Sequence, residues 1–255
     1  MTFTIEHFEF FILILVRITG FLFTAPFFSL KNVPRNVKAG LSVFMTAILF
    51  YSVPYSTPEY TGVIEFAMLV AKEALAGAIM GLFANIAYHI LAFAGQLIDM
   101  EIGFSMLNVM DPTTNVQTTI TANLYGYLVI LVMMITNLHH YFLRAAIDSF
   151  QVIGIGRAVF RADMYKIMVQ FIAEYFEIGF RIVLPIFAAI LVVNAILAIL
   201  AKIAPQMNMF VVGMQLKLLV GLLVLAMIME LVPPVADFIF NKMKEMLLAS
   251  IEILK

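Results

Sequence analysis

The sequence predicts an all-α membrane protein built of several apolar helices, and three observations carry that expectation. First, 64% of the 255 residues are hydrophobic, only 12% are charged, and the mean hydropathy is +1.05. Soluble domains run at roughly 45–50% apolar and about 25% charged. A soluble chain of this size could not bury so much apolar surface and keep a wettable exterior. Second, apolar runs recur at lengths suited to crossing hydrocarbon, which takes about 20 residues. Third, no Ser/Gly linker, charge block, low-complexity tract or fixed-period repeat marks a second domain. Residues 1–255 are therefore expected to form one membrane domain, with N-terminal helices over 1–95, an irregular region over 96–119, C-terminal helices over 120–232 and an amphipathic tail over 233–255.

The net charge of −1 leaves no basic stripe for nucleic acid. The absence of cysteine removes disulfides, thiolate-bound zinc and thiol catalysis. Glu6 and Glu9 stand where a cleavable signal peptide would carry basic residues, so the first apolar stretch is expected to be retained.

That first run covers 8–28 and is interrupted by Arg17 and Pro26; a basic loop with Lys31, Arg35 and Lys38 follows. A second run covers 39–53, and the stretch 54–65, with Pro54, Pro58 and Gly62, reads as a turn-rich loop. A long third helix is expected over 64–94. Residues 95–119 are apolar but punctuated by Gly95, Gly103, Asp111 and Pro112. A fourth run spans 120–135, an interfacial basic stretch 137–166, a fifth run 167–201 with a break near Pro185, and a sixth 209–232, ended by Pro233 and Pro234. The tail sets Phe238, Met246 and Ile253 among Asp237, Lys242, Lys244, Glu245 and Glu252 at helical spacing.

Lys/Arg-rich loops favour the cytoplasm, which places 31–38, 144–166 and 242–255 inside and the acidic 54–65 loop outside. Between Glu65 and Arg144 this demands an odd number of crossings, yet two firm helices lie there. The count closes only if 95–119 crosses part-way or the helices do not span in the ordinary manner.

Lys72 and Glu73 interrupt the third run, and ionisable groups at membrane depth are candidate functional sites. The structural alternative is snorkelling near a helix end, or pairing with a neighbouring subunit. Glu174, Glu177 and Arg181 share one face of the fifth run, with Glu177 and Arg181 spaced as a candidate intramembrane charge pair. A proton-coupled or small-solute transporter could use Lys72, Glu73, Glu174 and Glu177 as a relay, but such folds carry hydropathy repeats, and none is convincing here. Gly77 and Gly81, flanked by Ala74 and Ala78, form a small-residue stripe for close helix packing. His139 and His140 have no third ligand at useful spacing, so no metal site is expected. HExxH, GxSxG and P-loop patterns are missing, and no Ser or Thr has the partners of a nucleophile. No catalytic residue and no cofactor is expected, and the chain reads as a non-enzyme.

The most distinctive stretch is GQLIDMEIGFSMLNVMDP, which carries Phe104, Met106, Leu107 and Met110. Irregular backbone at membrane depth survives only where protein covers it or where it lines a cavity. Flexible or bulky apolar side chains suit a constriction that gates by dewetting; an ordinary re-entrant core loop is the alternative.

Four stretches resemble the FliR family of the flagellar type III export gate. They are RITGFLFTAPFFSLKNVPRNVKAGLS, KEALAGAIMGLFANIAYHILAFAGQLIDMEIGFSMLNVMDP, NLHHYFLRAAIDSF, and LPIFAAILVVNAILAILAKIAPQMNMFVVGMQLKLLVGLLVL with its APQMNMFVVG core. The resemblance implies helical hairpins in a tilted assembly with FliP- and FliQ-type subunits, serving FlhB- and FlhA-type components and unfolded flagellar substrates. It places the chain, in contact with lipid, in the bacterial inner membrane at the flagellar basal body. It also implies a pore-plugging loop over 103–118, with Gly103, Phe104, Met106, Leu107, Met110, Asp111 and Pro112 as plug residues. Export-gate subunits of injectisomes are close relatives; the APQMN form favours the flagellar branch.

Overall fold

The computed structural model describes residues 4–30, 32–55, 58, 60–104, 119–161 and 164–255. Eight α-helices occur among them: α1 Ile5–Thr24, α2 Arg35–Ser52, α3 Val63–Ile102, α4 Ile120–Ile135, α5 Leu138–Val152, α6 Met164–Ile203, α7 Met209–Ile228 and α8 Val232–Ile253. No strand occurs among the described residues. The protein is all-α.

Four helices, α1, α3, α6 and α7, are long and apolar enough to cross a membrane, whereas the sequence offered six apolar runs. The 16 residues of α4 rise only about 24 Å, short of the ~30 Å hydrocarbon layer. Its apolar run instead bends by 72° into α5, at a break where Asn137 has φ +55°. By contrast α3 and α6, at 40 residues each, rise about 60 Å, twice that layer.

Three expected breaks fall differently. Gly95 does not interrupt α3, which runs on to Ile102; an isolated helical glycine costs only about 1 kcal/mol, and here the missing side chain leaves room for a neighbour. Pro185 lies inside a continuous α6. Pro233 and Pro234 sit in the first turn of α8, where a missing N–H costs little, so they begin a helix instead of only ending one. The buried stripe of α8 includes Ile239, Met243, Met246 and Leu247, while Phe238 points outward.

The chain gathers into two compact units. The first comprises Met1–Tyr88, Met133–Ile172 and Ile239–Lys255. Within it α1 and α2 form an antiparallel hairpin: Phe10 meets Phe50 at 5.8 Å between ring centroids, and Lys38 lies 5.7 Å from the Phe23 ring. The amphipathicity of α2 is inverted. Lys38, Ser42 and Thr46 face inward with Leu49, and the hydroxyls of Ser42 and Thr46 donate to the carbonyls of Lys38 and Ser42. Val37, Val43, Phe44, Ile48 and Tyr51 face outward, which suits apolar surroundings and not water.

The second unit comprises His89–Val132 and Ala173–Phe238. Its core joins Ala94, Ile98 and Ile102 of α3 to Tyr125 of α4, Val183, Ile186 and Ile190 of α6, Leu225 of α7 and Val232 of α8. Asn208 caps α7, its side-chain oxygen accepting from the N–H groups of Phe210 and Val211 at 3.2 and 3.4 Å. Hence the asparagine of APQMN starts the last apolar helix.

Two glycine substitutions test this packing. A Cβ at Gly40 of α2 meets nothing within 4 Å, so Gly40→Ala is expected to stabilise by about 0.5–1 kcal/mol. A Cβ at Gly77 of α3 would overlap the Arg17 carbonyl oxygen, so Gly77→Ala is expected to cost about 1–3 kcal/mol or more. Thermal unfolding of the detergent-solubilised protein reads both, and equal melting temperatures would contradict the seam.

Candidate functional site

The seam between α1 and α3, inside the first unit, is made of backbone. A Cβ at Gly20 would stand 2.6 Å from the Ala74 carbonyl oxygen; one at Gly81 would overlap the Thr24 hydroxyl and stand 2.7 Å from the Ala25 nitrogen. The Thr24 hydroxyl has carbonyl acceptors on both sides of the seam within reach of its one proton, among them Gly20 O in its own helix (2.9 Å) and Ala78 O across the seam (3.1 Å). Small residues let two helices approach this closely.

The same approach joins Arg17 to Glu73. The guanidinium donates through Nε to one carboxylate oxygen and through Nη2 to the other at 2.9 Å, a two-pronged geometry. Both side chains are inaccessible, at 1% and 0% exposure. The remaining groups are also engaged. Arg17 donates to the carbonyls of Ile153 (2.9 Å) and Gly154 (3.3 Å), and Glu73 Oε1 accepts the Gly156 N–H at 2.7 Å. The Phe150 ring lies 4.4 Å from the guanidinium carbon. Two charges from distant helices thus fasten the turn after α5.

A second polar contact lies in the other unit. Asp99, 3% exposed, accepts the Thr121 N–H at 3.2 Å on both oxygens and also accepts the Thr121 hydroxyl. That N–H belongs to the first turn of α4 and has no acceptor within its own helix, so Asp99 caps α4 from α3. One turn earlier, a Cβ at Gly95 would overlap Ala122. After Ile102, Gly103 turns at φ +98°, and its N–H donates to the Asp99 carbonyl at 3.2 Å.

Of the expected plug residues, Gly103 and Phe104 are described, and Phe104 packs against the core of the second unit. Met106, Leu107, Met110, Asp111 and Pro112 lie outside the described residues. Arg181 donates to Glu177 at 2.6 Å one helical turn away, with side chains 70% and 60% exposed. Lys72 is exposed, whereas its neighbour Glu73 pairs with Arg17 inside its own chain. The His139 and His140 rings lie 4.1 Å apart, and among the described residues no group of three His, Cys, Asp or Glu side chains is arranged to hold a metal. The Arg17–Glu73 pairing escaped the sequence reading, although Arg17 in one apolar run and Glu73, beside Lys72, in another were a signal for it. Asp99 carried no such signal, because its partners are a backbone N–H and an uncharged hydroxyl, both of Thr121.

Long apolar helices, close glycine seams and two fully satisfied buried polar contacts define the chain as a multi-pass helical membrane protein. Residues 8–243 match the family described as bacterial export proteins, family 1, and the chain belongs to that family. It is similar to the flagellar biosynthetic protein FliR of Bacillus subtilis, at 34% identity over 93% of this chain and 92% of the relative. It is also similar to FliR of Escherichia coli K12, at 27% identity over 91% and 89%, and to FliR of Aquifex aeolicus, at 27% over 85% and 83%. At this level it is a membrane component of a flagellar export apparatus.

Removing either charge of the pair strands the other, so Arg17→Ala and Glu73→Ala are each expected to cost about 3–5 kcal/mol. An apolar double substitution, Arg17→Met with Glu73→Leu, relieves the stranded charge but still orphans Ile153 O, Gly154 O and the Gly156 N–H. It is therefore expected to fall between wild type and the single variants in denaturation. A double variant as stable as wild type would show that the turn does not depend on the pair.

Proposed function

We propose that this chain is a structural and gating subunit of the flagellar type III protein export channel. In this reading residues 103–118 supply an apolar seal that stays closed until substrate passes, with Phe104, Met106, Leu107 and Met110 as occluding side chains and Asp111-Pro112 closing the segment. Apolar side chains can exclude water and ions from a narrow pore without bonding to anything that must later leave. The seal is mechanical, and the chain performs no catalysis.

The observation that carries the assembly role is how little of the apolar surface this chain covers by itself. The most apolar windows of α6 and α7 are only 22% and 17% buried within the chain. Such faces need either lipid or partner helices. The exposed Glu177–Arg181 pair on α6 favours protein or headgroups, because charges are costly against hydrocarbon. FliP- and FliQ-type subunits are the proposed neighbours, with FlhB- and FlhA-type components and unfolded flagellar proteins meeting the same complex. The bacterial inner membrane at the flagellar basal body is the proposed location.

The combined variant Phe104→Ala, Met106→Ala, Met110→Ala is expected to assemble normally and to make the resting membrane leaky to ions, read as ion flux in cells or vesicles holding the whole complex. An assembled variant as tight as wild type would overturn the sealing role.

A further inference from the structure

A cavity of about 370 Å³ opens within the second unit, lined by side chains of α4, α6, the end of α7 and the start of α8. We infer that it binds one membrane glycerophospholipid, whose acyl chain enters the cavity while its ester and phosphate oxygens meet Tyr125 and Arg181. This goes beyond the sealing role proposed above and does not depend on it.

Most of the lining is apolar, with Ile178, Ile182 and Pro185 of α6 facing Ile228, Val235 and Phe238, a wall that suits a hydrocarbon chain. Two polar groups stand in it with bonds still to make. Tyr125 is 5% exposed, yet its hydroxyl bonds to nothing among the described residues, whereas a buried phenol ordinarily finds a partner. Arg181 gives one nitrogen, Nη2, to Glu177 at 2.6 Å, and its Nε and Nη1 are left to donate elsewhere. A ligand for this cavity must therefore bring acceptors together with an apolar body. The sequence sets its depth. No charge occurs over 182–201, between Arg181 and Lys202, and those 20 residues of α6 rise about 30 Å, the thickness of the hydrocarbon layer. Arg181 thus lies at headgroup level, where a phosphate sits, and Ile182 and Pro185 lie on the hydrocarbon side of it. A partner helix fits less well, because inside a bilayer its carbonyls are already bonded within the helix. A glycerophospholipid carries ester and phosphate oxygens on the same molecule as its chains, and a guanidinium binds phosphate strongly.

The whole complex containing this chain is reconstituted in vesicles of phosphatidylethanolamine and phosphatidylglycerol. A share of the phosphatidylglycerol carries a photoreactive diazirine on one acyl chain, and mass spectrometry locates the labelled residues after illumination. Labelling is expected to concentrate on 178–185 and 228–238, several-fold above the rest of α6 and α7. Tyr125→Phe and Arg181→Gln are each expected to lower it several-fold there, and Ile182→Trp to abolish it by filling the cavity. Tyr125→Phe removes one oxygen and keeps the ring, so the fold is not at stake in that variant. Label spread evenly along α6 and α7 would reveal only the lipid that any membrane helix collects, and would overturn the site. Concentrated label indifferent to both Tyr125→Phe and Arg181→Gln would overturn it too, because neither polar group would then hold the ligand. A photoreactive residue in place of Ile182 that captures a partner subunit and no lipid would also overturn the inference, while leaving the assembly role proposed above intact.

Discussion

A guanidinium and a carboxylate from two apolar helices meet where neither touches solvent, and the first unit is arranged around satisfying them. Arg17 and Glu73 bond to each other and to three backbone groups of the turn after α5, so that each charge is paired and every nitrogen and oxygen of the two head groups has a partner. Such a pair contributes little net stability compared with apolar residues of the same size, but breaking it is expensive. Its effect is to fix register: α1 and α3 can slide past each other only by parting the charges. The glycines of the seam follow from this. Gly20, Gly77 and Gly81 are where the backbones must approach closely enough for the pair to form.

The second unit solves a different problem with a different polar contact. Helix α4 needs an acceptor for an N–H at its start, and Asp99 supplies it from α3. Both contacts sit in a chain whose outer surface is largely apolar, including the outward face of α2, whose polar residues point inward. The interior is mostly apolar as well, and among the described residues only in α2 does the polar face turn inward while the apolar face is presented. The inversion in α2 suits a membrane protein of a bacterial export family.

The helical membrane class was legible from composition and run length alone. The small-residue stripe at Gly77 and Gly81 was readable because packing of this kind leaves a local pattern. Other features were not, for physical reasons. Gly95 and Pro185 look like helix breakers to local propensity, but tertiary packing carries α3 and α6 through them. Pro233 and Pro234 end one run and begin another helix, and only the backbone distinguishes the two. The partner of Glu73 lies 56 residues away, beyond any local spacing rule, and the partner of Asp99 is partly a backbone amide with no residue signature. The topology count that would not close has a structural counterpart in two 40-residue helices and in an apolar run bent by 72° between α4 and α5, none of which is an ordinary span.

The exposed apolar faces of α6 and α7 are proposed to be covered by other subunits. Gentle extraction of the native membrane followed by native mass spectrometry tests it most directly. The expected result is one defined hetero-oligomer in which this chain is held among other small apolar proteins in fixed ratio. A stable, solitary chain carrying only lipid and detergent would contradict the claim.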